Sequence, residues 1–342
     1  MNSTKAIHAV DLFSGVGGLT KGLTQAGIKV KAGFDIDEQC RYAYEANNRG
    51  ADFIAADIRD ISFADIAPYY EGADITVMVG CAPCQPFSAY TRKTSTSNSS
   101  DCSLIGEFAR LIEEGKPDIV SMENVLGLRQ HSAFENFKKT LDSEGYEYDD
   151  DVLSCRDFGV PQTRKRLVLV ASRLGGISLP APSSKRVTVA DFIKDLPSLS
   201  DGETDPKDHM HTTLKLADRN KKRIQQSKPG GSWKDWERDI ISHCHSKAHY
   251  PASYGRMRWD KPAPTITTQF CYYSTGRFGH PEQDRTISLR EAALLQTFPK
   301  GYKFAQKREP VSVHLLARHI GNAVPVKLGK AIGNSILEAS NV

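Results

Sequence analysis

Residues 7–37, IHAVDLFSGVGGLTKGLTQAGIKVKAGFDID, carry the pattern that decides the fold. An apolar stretch ending at Phe13 is followed by a glycine-rich turn, a helical stretch to about Gln25 and a second apolar stretch that ends in acidic residues. Three more apolar stretches, DFIAADI, ITVMVG and PDIVSMENV, continue the alternation, and YEYDDDVLSC and RKRLVLVAS look like a further pair of strands. Short apolar strands alternating with helices predict an α/β fold with a doubly wound, mostly parallel sheet.

The informative polar residues fall where these strands end. Asp35, Asp57, Cys84 and Glu123 each lie at or just beyond the carboxyl end of a predicted strand. Ligands of doubly wound sheets bind in the crevice outside the carboxyl ends of the strands. We therefore expect these four side chains to face one site.

The glycine-rich turn indicates the kind of ligand. Glycines within residues 15–18 permit a tight turn and a close approach of the backbone to a bound group. Thr20 occupies the last position of the G-x-G-x-x-G pattern, which argues against a dinucleotide-dependent dehydrogenase. Asp35 is placed to accept hydrogen bonds from ribose hydroxyls, and Asp57 to bind an adenine amino group. A nucleoside cofactor without a pyrophosphate suits this arrangement, and S-adenosylmethionine is such a cofactor.

Composition predicts an ordinary globular protein. The chain has 342 residues, of which 39% are hydrophobic, enough for two domains and one substantial core. The sequence has no apolar run approaching about 18 residues and no signal-peptide pattern, so we expect no membrane segment. Seven scattered cysteines argue against a disulfide framework and favour the reducing cytoplasm.

Positive charge is concentrated in residues 173–257. This segment has 15 Lys and Arg against 10 Asp and Glu, while the whole chain has a net charge of only +4. A basic segment attached to a neutral body is a weak indication of nucleic-acid binding, and on charge alone a solvated loop face is the better explanation. A second biased stretch, residues 91–103, is polar and of low complexity and is predicted to be mobile.

The motif GCAPCQPFS contains Cys81 and Cys84, whose spacing alone leaves three roles open. A redox pair usually precedes a helix of a thioredoxin-like fold, which the strand pattern does not favour. A zinc site needs more ligands, and the cluster HCHSKAH has poor spacing for zinc, so we expect no metal site. The candidate ligands in that cluster are His243, Cys244, His245 and His249. A single nucleophilic thiolate is the third role.

Six motifs favour the third role. In chain order DLFSGVGG, PCQPFS, MENV, QTRKRL, RWDKPAPTITT and GNAVPV resemble the motifs of the DNA (cytosine-5)-methyltransferases, over nearly the whole chain. The resemblance implies a fold of the S-adenosylmethionine-dependent methyltransferase type with a smaller target-recognition domain. It also implies methyl transfer to carbon 5 of a cytosine in a specific duplex sequence, with S-adenosylhomocysteine as the product.

The family pattern also implies a role for each site residue. Cys84, between Pro and Gln, is the nucleophile that attacks carbon 6, since the resulting adduct makes carbon 5 nucleophilic. Glu123 acts at ring N3, Arg166 binds ring O2 and orients Glu123, and Arg164 serves the DNA backbone or the same pocket. Ile36 stands where many members carry Trp beside the cofactor adenine. The residues expected to bind the cofactor are Phe13, Ser14, Gly15, Val16, Gly18, Asp35, Ile36, Asp57, Ile58, Pro83, Asn322 and Val324.

The substrate implied is double-stranded DNA, whose target cytosine must be turned out of the helix. Residues 1–175, completed by 320–342, are expected to form the large catalytic and cofactor-binding domain. Residues 176–287 are expected to form the target-recognition domain, and residues 288–319 a hinge. The residues expected to contact DNA are Gln85, Ser88, Tyr90, Arg92, Lys221, Lys222 and Arg223.

Two alternatives stay open at this level. One is a tRNA cytosine methyltransferase on the same scaffold, and the other is a nucleic-acid-binding protein that has lost catalysis. The presence of Cys84, Glu123, Arg164 and Arg166 argues against the second. We expect a cytoplasmic, nucleoid-associated monomer, for which a cognate restriction endonuclease is the candidate protein partner. The recognition sequence does not follow from these residues.

Overall fold

The structure is a computed structural model that describes residues 5–83, 101–182, 186–241, 253–306 and 311–340, without the side chains of residues 101–103 and 238. Two compact units divide the chain. The first comprises residues 1–154, 165–183 and 324–342, and the second comprises residues 155–164 and 184–323.

A seven-stranded sheet forms the centre of the described part of the first unit. Its strands are β1 (Ile7–Leu12), β2 (Lys29–Asp35), β3 (Asp52–Ala55), β4 (Ile75–Gly80), β5 (Ile119–Asn124), β6 (Glu147–Ser154) and β7 (Lys165–Ser172). The strand order is β3-β2-β1-β4-β5-β7-β6. The first five strands of this order pair in parallel, whereas β7 pairs antiparallel with both β5 and β6. The predicted strands and the mostly parallel sheet are confirmed.

Helices connect the strands and continue into the second unit. The described helices are α1 (Gly18–Ala26), α2 (Arg41–Asn47), α3 (Phe63–Ile66), α4 (Asp101–Gly115), α5 (Ser132–Ser143), α6 (Ala190–Ile193), α7 (Asp218–Gln226), α8 (Leu289–Leu295), α9 (Val313–Asn322) and α10 (Val326–Ser340). Short 3-10 turns lie at Glu38–Cys40, Ala67–Tyr70, Leu126–Gln130, Cys155–Phe158, Trp233–Asp235, Arg238–Ile240 and Tyr273–Thr275.

Both faces of the sheet are covered, as its continuous apolar strands require. Val10 and Met122 belong to a buried cluster with Phe108 of α4 and Phe137 of α5. Successive side chains of a strand point to opposite faces, so Asp11 faces away from this cluster. On that opposite face α1 contacts the sheet through Thr20, whose side chain bonds to Asp11, and α1 packs against α10.

A glycine sets the separation between α1 and α10. A Cβ atom on Gly22 would lie 2.5 Å from the backbone oxygen of Val326, well inside van der Waals contact. The absence of a side chain at this position therefore permits the close packing that covers the second face of the sheet.

The described part of the second unit is held together by buried polar contacts as well as by apolar packing. Leu216, Ile224, Trp236 and Tyr273 form a small apolar cluster. At the start of α8, Ser288 caps the helix together with Glu291. The guanidinium of Arg285, which is fully buried, donates 2.8 Å hydrogen bonds to both carboxylate oxygens of Glu291. Such a bidentate pair compensates the burial of two charges.

Two expectations about segment limits differ from the structure. We expected residues 91–103 to be mobile, and α4 begins within this stretch, at Asp101, so its last three residues are helical. Helix formation extends to that residue from the buried positions Ile105 and Phe108. The remaining residues of that stretch, 91–100, lie outside the described part of the chain.

The boundaries between the two compact units also differ from the domain limits that we expected. The first segment of the first unit ends at Ser154, and residues 155–164 belong to the second unit. A second boundary falls at residues 183 and 184, where we expected one near 175. Residues 288–319 belong to the second unit, and their role as a hinge stays a prediction.

Candidate active site

Three adjacent strands bring the candidate catalytic side chains together. In the parallel register Gly80 of β4 lies opposite Met122 of β5, so the next residues, Cys81 and Glu123, are neighbours at the carboxyl end. Asn124 of β5 lies opposite Leu167 of β7, which places Arg166 at the same edge. Cys81, Glu123 and Arg166 thus meet where doubly wound sheets bind ligands.

Glu123 is almost completely buried, with 2% of its surface exposed. Its Oε1 lies 2.9 Å from Nε of Arg166, and its Oε2 accepts a 2.8 Å hydrogen bond from the thiol of Cys81. The pair with Arg166 is close but not aligned for a hydrogen bond, and Oε1 has no hydrogen-bond partner among the described residues. A buried carboxyl group is therefore held on one oxygen and keeps bonding capacity on the other.

The chain that leads to Cys84 is anchored to the sheet. Asn124 donates from Nδ2 to the backbone oxygen of Ala82 at 3.1 Å, and the N–H of Cys81 bonds to the backbone oxygen of Leu12 at 3.3 Å. Asn124 was not among our candidates, although it follows Glu123 directly in the MENV motif. The five candidates Cys84, Gln85, Ser88, Tyr90 and Arg92 lie outside the described residues.

Arg164 belongs to the second unit and has a different environment from the one we expected. Only 2% of the residue is exposed, and its guanidinium donates to the backbone oxygens of Ile266, at 3.0 Å, and of Gly321, at 3.3–3.4 Å. A guanidinium enclosed by backbone carbonyls is not available to a DNA phosphate. A role at the DNA backbone, one of the two that we expected for Arg164, does not agree with this burial, and its role in the catalytic pocket stays a prediction.

The glycine-rich turn adopts the backbone that its residues allow. Phe13, Gly15 and Gly17 have φ angles of 59°, 51° and 82°, the left-handed region that glycine enters at little cost. For Phe13 this conformation is strained, and such strain is typical of functional turns. The N–H groups of Gly15 and Asp37 each bond at 2.8 Å to one oxygen of Asp35. The turn and the expected ribose-binding carboxylate thus form one structure.

Asp11 and Thr20 form a buried polar pair beneath this turn that our candidates did not include. The hydroxyl and the N–H of Thr20 both donate to Oδ2 of Asp11, at 2.6 and 3.1 Å. Burial raises the pKa of Asp11 to about 7. Thr20, which replaces the last glycine of the dinucleotide pattern, therefore satisfies the buried carboxyl group of Asp11. An acidic residue inside an otherwise apolar strand is the signal in the sequence that points to such a pair.

The residues around the turn fit S-adenosylmethionine. Ser14 is buried, and its hydroxyl has no hydrogen-bond partner among the described residues, so it can bond to a polar ligand group. Ile36 exposes 69% of its surface and offers an apolar face to an adenine ring. The guanidinium of Arg59 binds Asp57 and lowers the pKa of that carboxyl group, which keeps it an acceptor. A hydroxyl donor at Ser14, the exposed apolar side chain of Ile36 and the carboxylates of Asp35 and Asp57 together suit a ligand that has both a nucleoside and an amino-acid part, as S-adenosylmethionine does.

The other expected cofactor residues occupy varied positions. In the first unit Val16, Ile58 and Val324 are buried, Phe13 and Asp35 are half-buried, and Pro83 is exposed; Gly18 is the first residue of α1. Asn322 belongs to the second unit and is exposed at the end of α9. The contact of Asn322 with the cofactor stays a prediction.

The basic run on α7 does not act as one surface. Lys221 and Lys222 are exposed, but Arg223 is buried, with 4% of its surface exposed. The guanidinium of Arg223 lies 5.1 Å from the ring centre of Trp236 and 5.3 Å from that of Tyr254, and it donates to the backbone oxygen of Ile240. The expectation that Arg223 contacts DNA is wrong, because helical periodicity turns every third or fourth residue of α7 toward the interior.

The candidate zinc ligands His243, Cys244, His245 and His249 lie outside the described residues. The expectation that this chain holds no zinc therefore stays a prediction. Among the described helices, none combines the length and hydropathy needed to cross a membrane.

Comparison with known proteins decides the family. The profile of the C-5 cytosine-specific DNA methylases matches residues 7–338. The chain belongs to this family. The enzyme therefore transfers a methyl group from S-adenosylmethionine to carbon 5 of cytosine in DNA. The match favours the DNA enzyme over the tRNA methyltransferase and over a protein without catalysis.

Two relatives cover almost all of the enzyme. The Type II methylase M.HgiDII of Herpetosiphon aurantiacus is 48% identical over 336 residues, which are 96% of this chain and 94% of the relative. The Type II methyltransferase M.Eco47II of Escherichia coli is 32% identical over 356 residues, 98% of this chain and 80% of the relative. The resemblance inferred from six motifs is thus confirmed.

Solved structures agree on the fold. A protein from E. coli, assigned as a DNA modification methyltransferase encoded within a prophage, superimposes with a TM-score of 0.77 at 23% identity. That comparison covers 98% of this chain and 100% of the other. The Dnmt2 methyltransferase of S. pombe superimposes with a TM-score of 0.63 at 18% identity, over 98% of this chain and 99% of the other. The predicted fold class is confirmed.

Proposed function

We propose that Cys84, Glu123 and Arg166 carry out the methylation of a cytosine turned out of duplex DNA. The observation that supports this assignment most directly is the meeting of Glu123 and Arg166, 2.9 Å apart, at the carboxyl edge from which the chain continues to Cys84. Burial of Glu123 keeps bulk water from competing for its hydrogen bonds, which suits a side chain that must bond to a ring nitrogen.

Each residue has one task in this scheme. The thiolate of Cys84 adds to carbon 6 of the cytosine, which makes carbon 5 nucleophilic. The carboxyl group of Glu123 donates a proton to N3, which neutralises the charge that the addition places on the ring. Arg166 donates to O2 of the same ring through its fixed fork. S-adenosylmethionine supplies the methyl group as an electrophile. A base then takes the carbon-5 proton, the proton on N3 returns to Glu123, and elimination of the Cys84 thiolate from carbon 6 releases the product.

The scheme is tested by sequencing DNA from cells that express the enzyme. Bisulfite or nanopore reads are expected to show 5-methylcytosine at one short sequence motif and at no position outside it. Modification spread without regard to sequence, or its absence in cells that contain the folded enzyme, contradicts the proposal. Since the relatives are named Type II methylases, we also propose a cognate restriction endonuclease that recognises the same motif, acting on chromosomal DNA in the cytoplasm.

Cofactor binding is expected to depend on Ile36. We expect Ile36→Trp to tighten the binding of S-adenosylhomocysteine about fivefold, because an indole offers a larger stacking surface to adenine. Ile36→Ser removes apolar area and is expected to weaken binding by a similar factor. Isothermal titration calorimetry measures both. Leu174→Trp is the matched control, since Leu174 is also an exposed apolar residue of the first unit, at 39%. Equal affinity in all four proteins contradicts the assigned position of adenine.

Binding of DNA is expected to depend on Lys221 and Lys222, which we expect to bind phosphates. Their joint change to alanine is expected to weaken binding to all sequences alike and to flatten the salt slope by up to about 1.8, or ~0.9 for each phosphate that the enzyme no longer neutralises. Titrations of cognate and scrambled duplexes at several salt concentrations measure this slope. Lys139→Ala/Lys330→Ala, a pair of exposed lysines in the first unit, is the matched control.

Two other outcomes of these titrations would contradict phosphate binding by Lys221 and Lys222. An unchanged slope identifies α7 as a solvated surface that does not meet DNA. A weakening confined to the cognate duplex makes the lysines readers of base edges instead.

Arg223→Ala is expected to lower the free energy of unfolding by about 2–4 kcal/mol, since it removes buried hydrogen bonds and two cation–π interactions.

A further inference from the structure

Cys81 occupies a position that the catalytic scheme does not use. Its thiol lies 2.8 Å from Oε2 of Glu123, and the two residues are neighbours in the parallel register of β4 and β5. Parallel strands in register place such side chains on the same face of the sheet. Cys81 directly follows the last residue of β4, so the register of Gly80 with Met122 brings its thiol to Glu123.

The two oxygens of Glu123 are held differently. Oε2 accepts from the thiol of Cys81, whereas Oε1 has no aligned hydrogen bond among the described residues despite its 2.9 Å separation from Arg166. Arg166 directs another N–H of its guanidinium to the backbone oxygen of Lys165 at 2.8 Å. Within the described part of the chain, the thiol thus makes the hydrogen bond that holds Oε2, and Arg166 makes a close but unaligned ion pair with Oε1.

This matters because a carboxyl group turns easily about its last side-chain bond. Torsions of this kind have broad minima, so a carboxyl plane is set by its hydrogen bonds more than by its rotamer. A donor on Oε2 holds the plane and leaves Oε1, which lies close to Arg166 without an aligned hydrogen bond among the described residues, as the oxygen that can face a ligand. A proton on Oε1 can then be presented to a base without reorganisation, which is the condition for efficient proton transfer.

We propose that Cys81 is a positioning residue for Glu123: its thiol holds Oε2 and thereby assigns Oε1 to ring N3 of the extruded cytosine. This inference rests on the proposed role of Glu123 at N3. Cys81 does not form a bond to substrate in this role, and its proton stays on sulfur. The requirement at this position is a small side chain with a hydrogen-bond donor, which serine also meets.

Three substitutions separate donation from size. Cys81→Ser keeps a donor and is expected to retain kcat within about threefold. Cys81→Ala and Cys81→Val remove the donor, and valine also preserves the bulk; both are expected to lower kcat by up to about tenfold, the upper end of what one hydrogen bond to a neutral group contributes. KM for DNA and for S-adenosylmethionine is expected to stay unchanged, since neither is bound by the thiol. Cys155→Ala, which removes a buried thiol from the second unit, is the control for removal of a cysteine.

A double-mutant cycle tests whether Cys81 acts through Glu123. In a Glu123→Gln background, Cys81→Ala is expected to cause no further fall in kcat, because the group it positions can no longer transfer a proton. Thermal melting of each variant shows that the enzyme is folded. The inference is overturned if Cys81→Val and Cys81→Ala keep the kcat of the native enzyme, or if Cys81→Ala costs the same factor in both backgrounds. The failure of the catalytic scheme itself is distinguishable, since it requires that Glu123→Gln alone leave kcat unchanged.

Discussion

Cys84→Ser is expected to lower methyl transfer by more than about 10³-fold while the enzyme still binds DNA and S-adenosylmethionine. A serine hydroxyl has nearly the same size as the thiol but is hardly ionised near neutral pH, whereas a thiol with a reference pKa of about 8.5 readily supplies a thiolate. Without that thiolate no adduct forms at carbon 6, and carbon 5 stays a poor nucleophile. Single-turnover transfer of a labelled methyl group measures the decrease, and fluorescence anisotropy measures binding.

A duplex with 5-fluorocytosine at the target site gives a second readout. Fluorine replaces the proton that must leave carbon 5, so the native enzyme is expected to remain covalently attached to this DNA and to migrate as a complex in a denaturing gel. Cys81→Ser is the matched control, since it changes the other cysteine of the motif and keeps a donor toward Glu123. An adduct with Cys84→Ser, or an equal fall in activity from the two cysteine changes, contradicts the assignment of Cys84.

Glu123→Gln is the second change with a large expected effect. Glutamine keeps the size of the side chain and can donate a hydrogen bond, but it cannot give up its proton to N3. We expect kcat to fall by about 10²–10⁴, the usual contribution of a positioned acid. Steady-state kinetics on a duplex with the recognition motif measures kcat and KM separately. Thermal melting accounts for any destabilisation from leaving Arg166, whose side chain is 14% exposed, without its carboxylate.

The sheet provides a matched control for this change. Asp151 of β6 and Glu123 of β5 lie opposite the same residue of β7, Val168, on its two sides. The side chain of Asp151 is 60% exposed and pairs with Arg129 at 2.7 Å. Two strands, β5 and β7, separate β6 from β4, so Asp151 lies away from the candidate site. Asp151→Asn is expected to leave kcat unchanged. A kcat of Glu123→Gln within about threefold of the native value contradicts the role of Glu123 as the acid.

Much of the first unit could be predicted from local pattern. Strand period, the glycine-rich turn and the positions of Asp35 and Glu123 at strand ends are properties of short stretches, and these predictions agree with the structure. Parallel strands turn their carboxyl ends to one edge, so placing polar residues at the ends of successive strands is enough to predict a shared site. The six motifs then named the family, which the profile match confirmed.

Side-chain surroundings could not be predicted in the same way. Arg164 and Arg223 are both basic residues in polar stretches. The sequence led us to expect Arg223 against DNA, and Arg164 at the DNA backbone or in the catalytic pocket. Each is buried instead, Arg164 among backbone oxygens of residues more than 100 positions away and Arg223 between two aromatic rings. The sequence does not distinguish an arginine whose guanidinium donates to buried backbone carbonyls from one whose guanidinium faces solvent. Of the three basic residues on α7 that we expected to meet phosphate, two are exposed and one is buried.

The sequence by itself determined the class of sheet, the cofactor turn, the family and the identity of the candidate acid and nucleophile, because each rests on residues close together in the chain. Only the tertiary structure decided that Cys81 contacts Glu123, and it gave a distance of 2.9 Å to the approach of Arg166 that the family motif had led us to expect. Those contacts depend on the register of β4 with β5 and on the antiparallel insertion of β7 between β5 and β6. Strand order and register are set by packing between distant segments, and no periodicity within one segment encodes which distant strand becomes its neighbour.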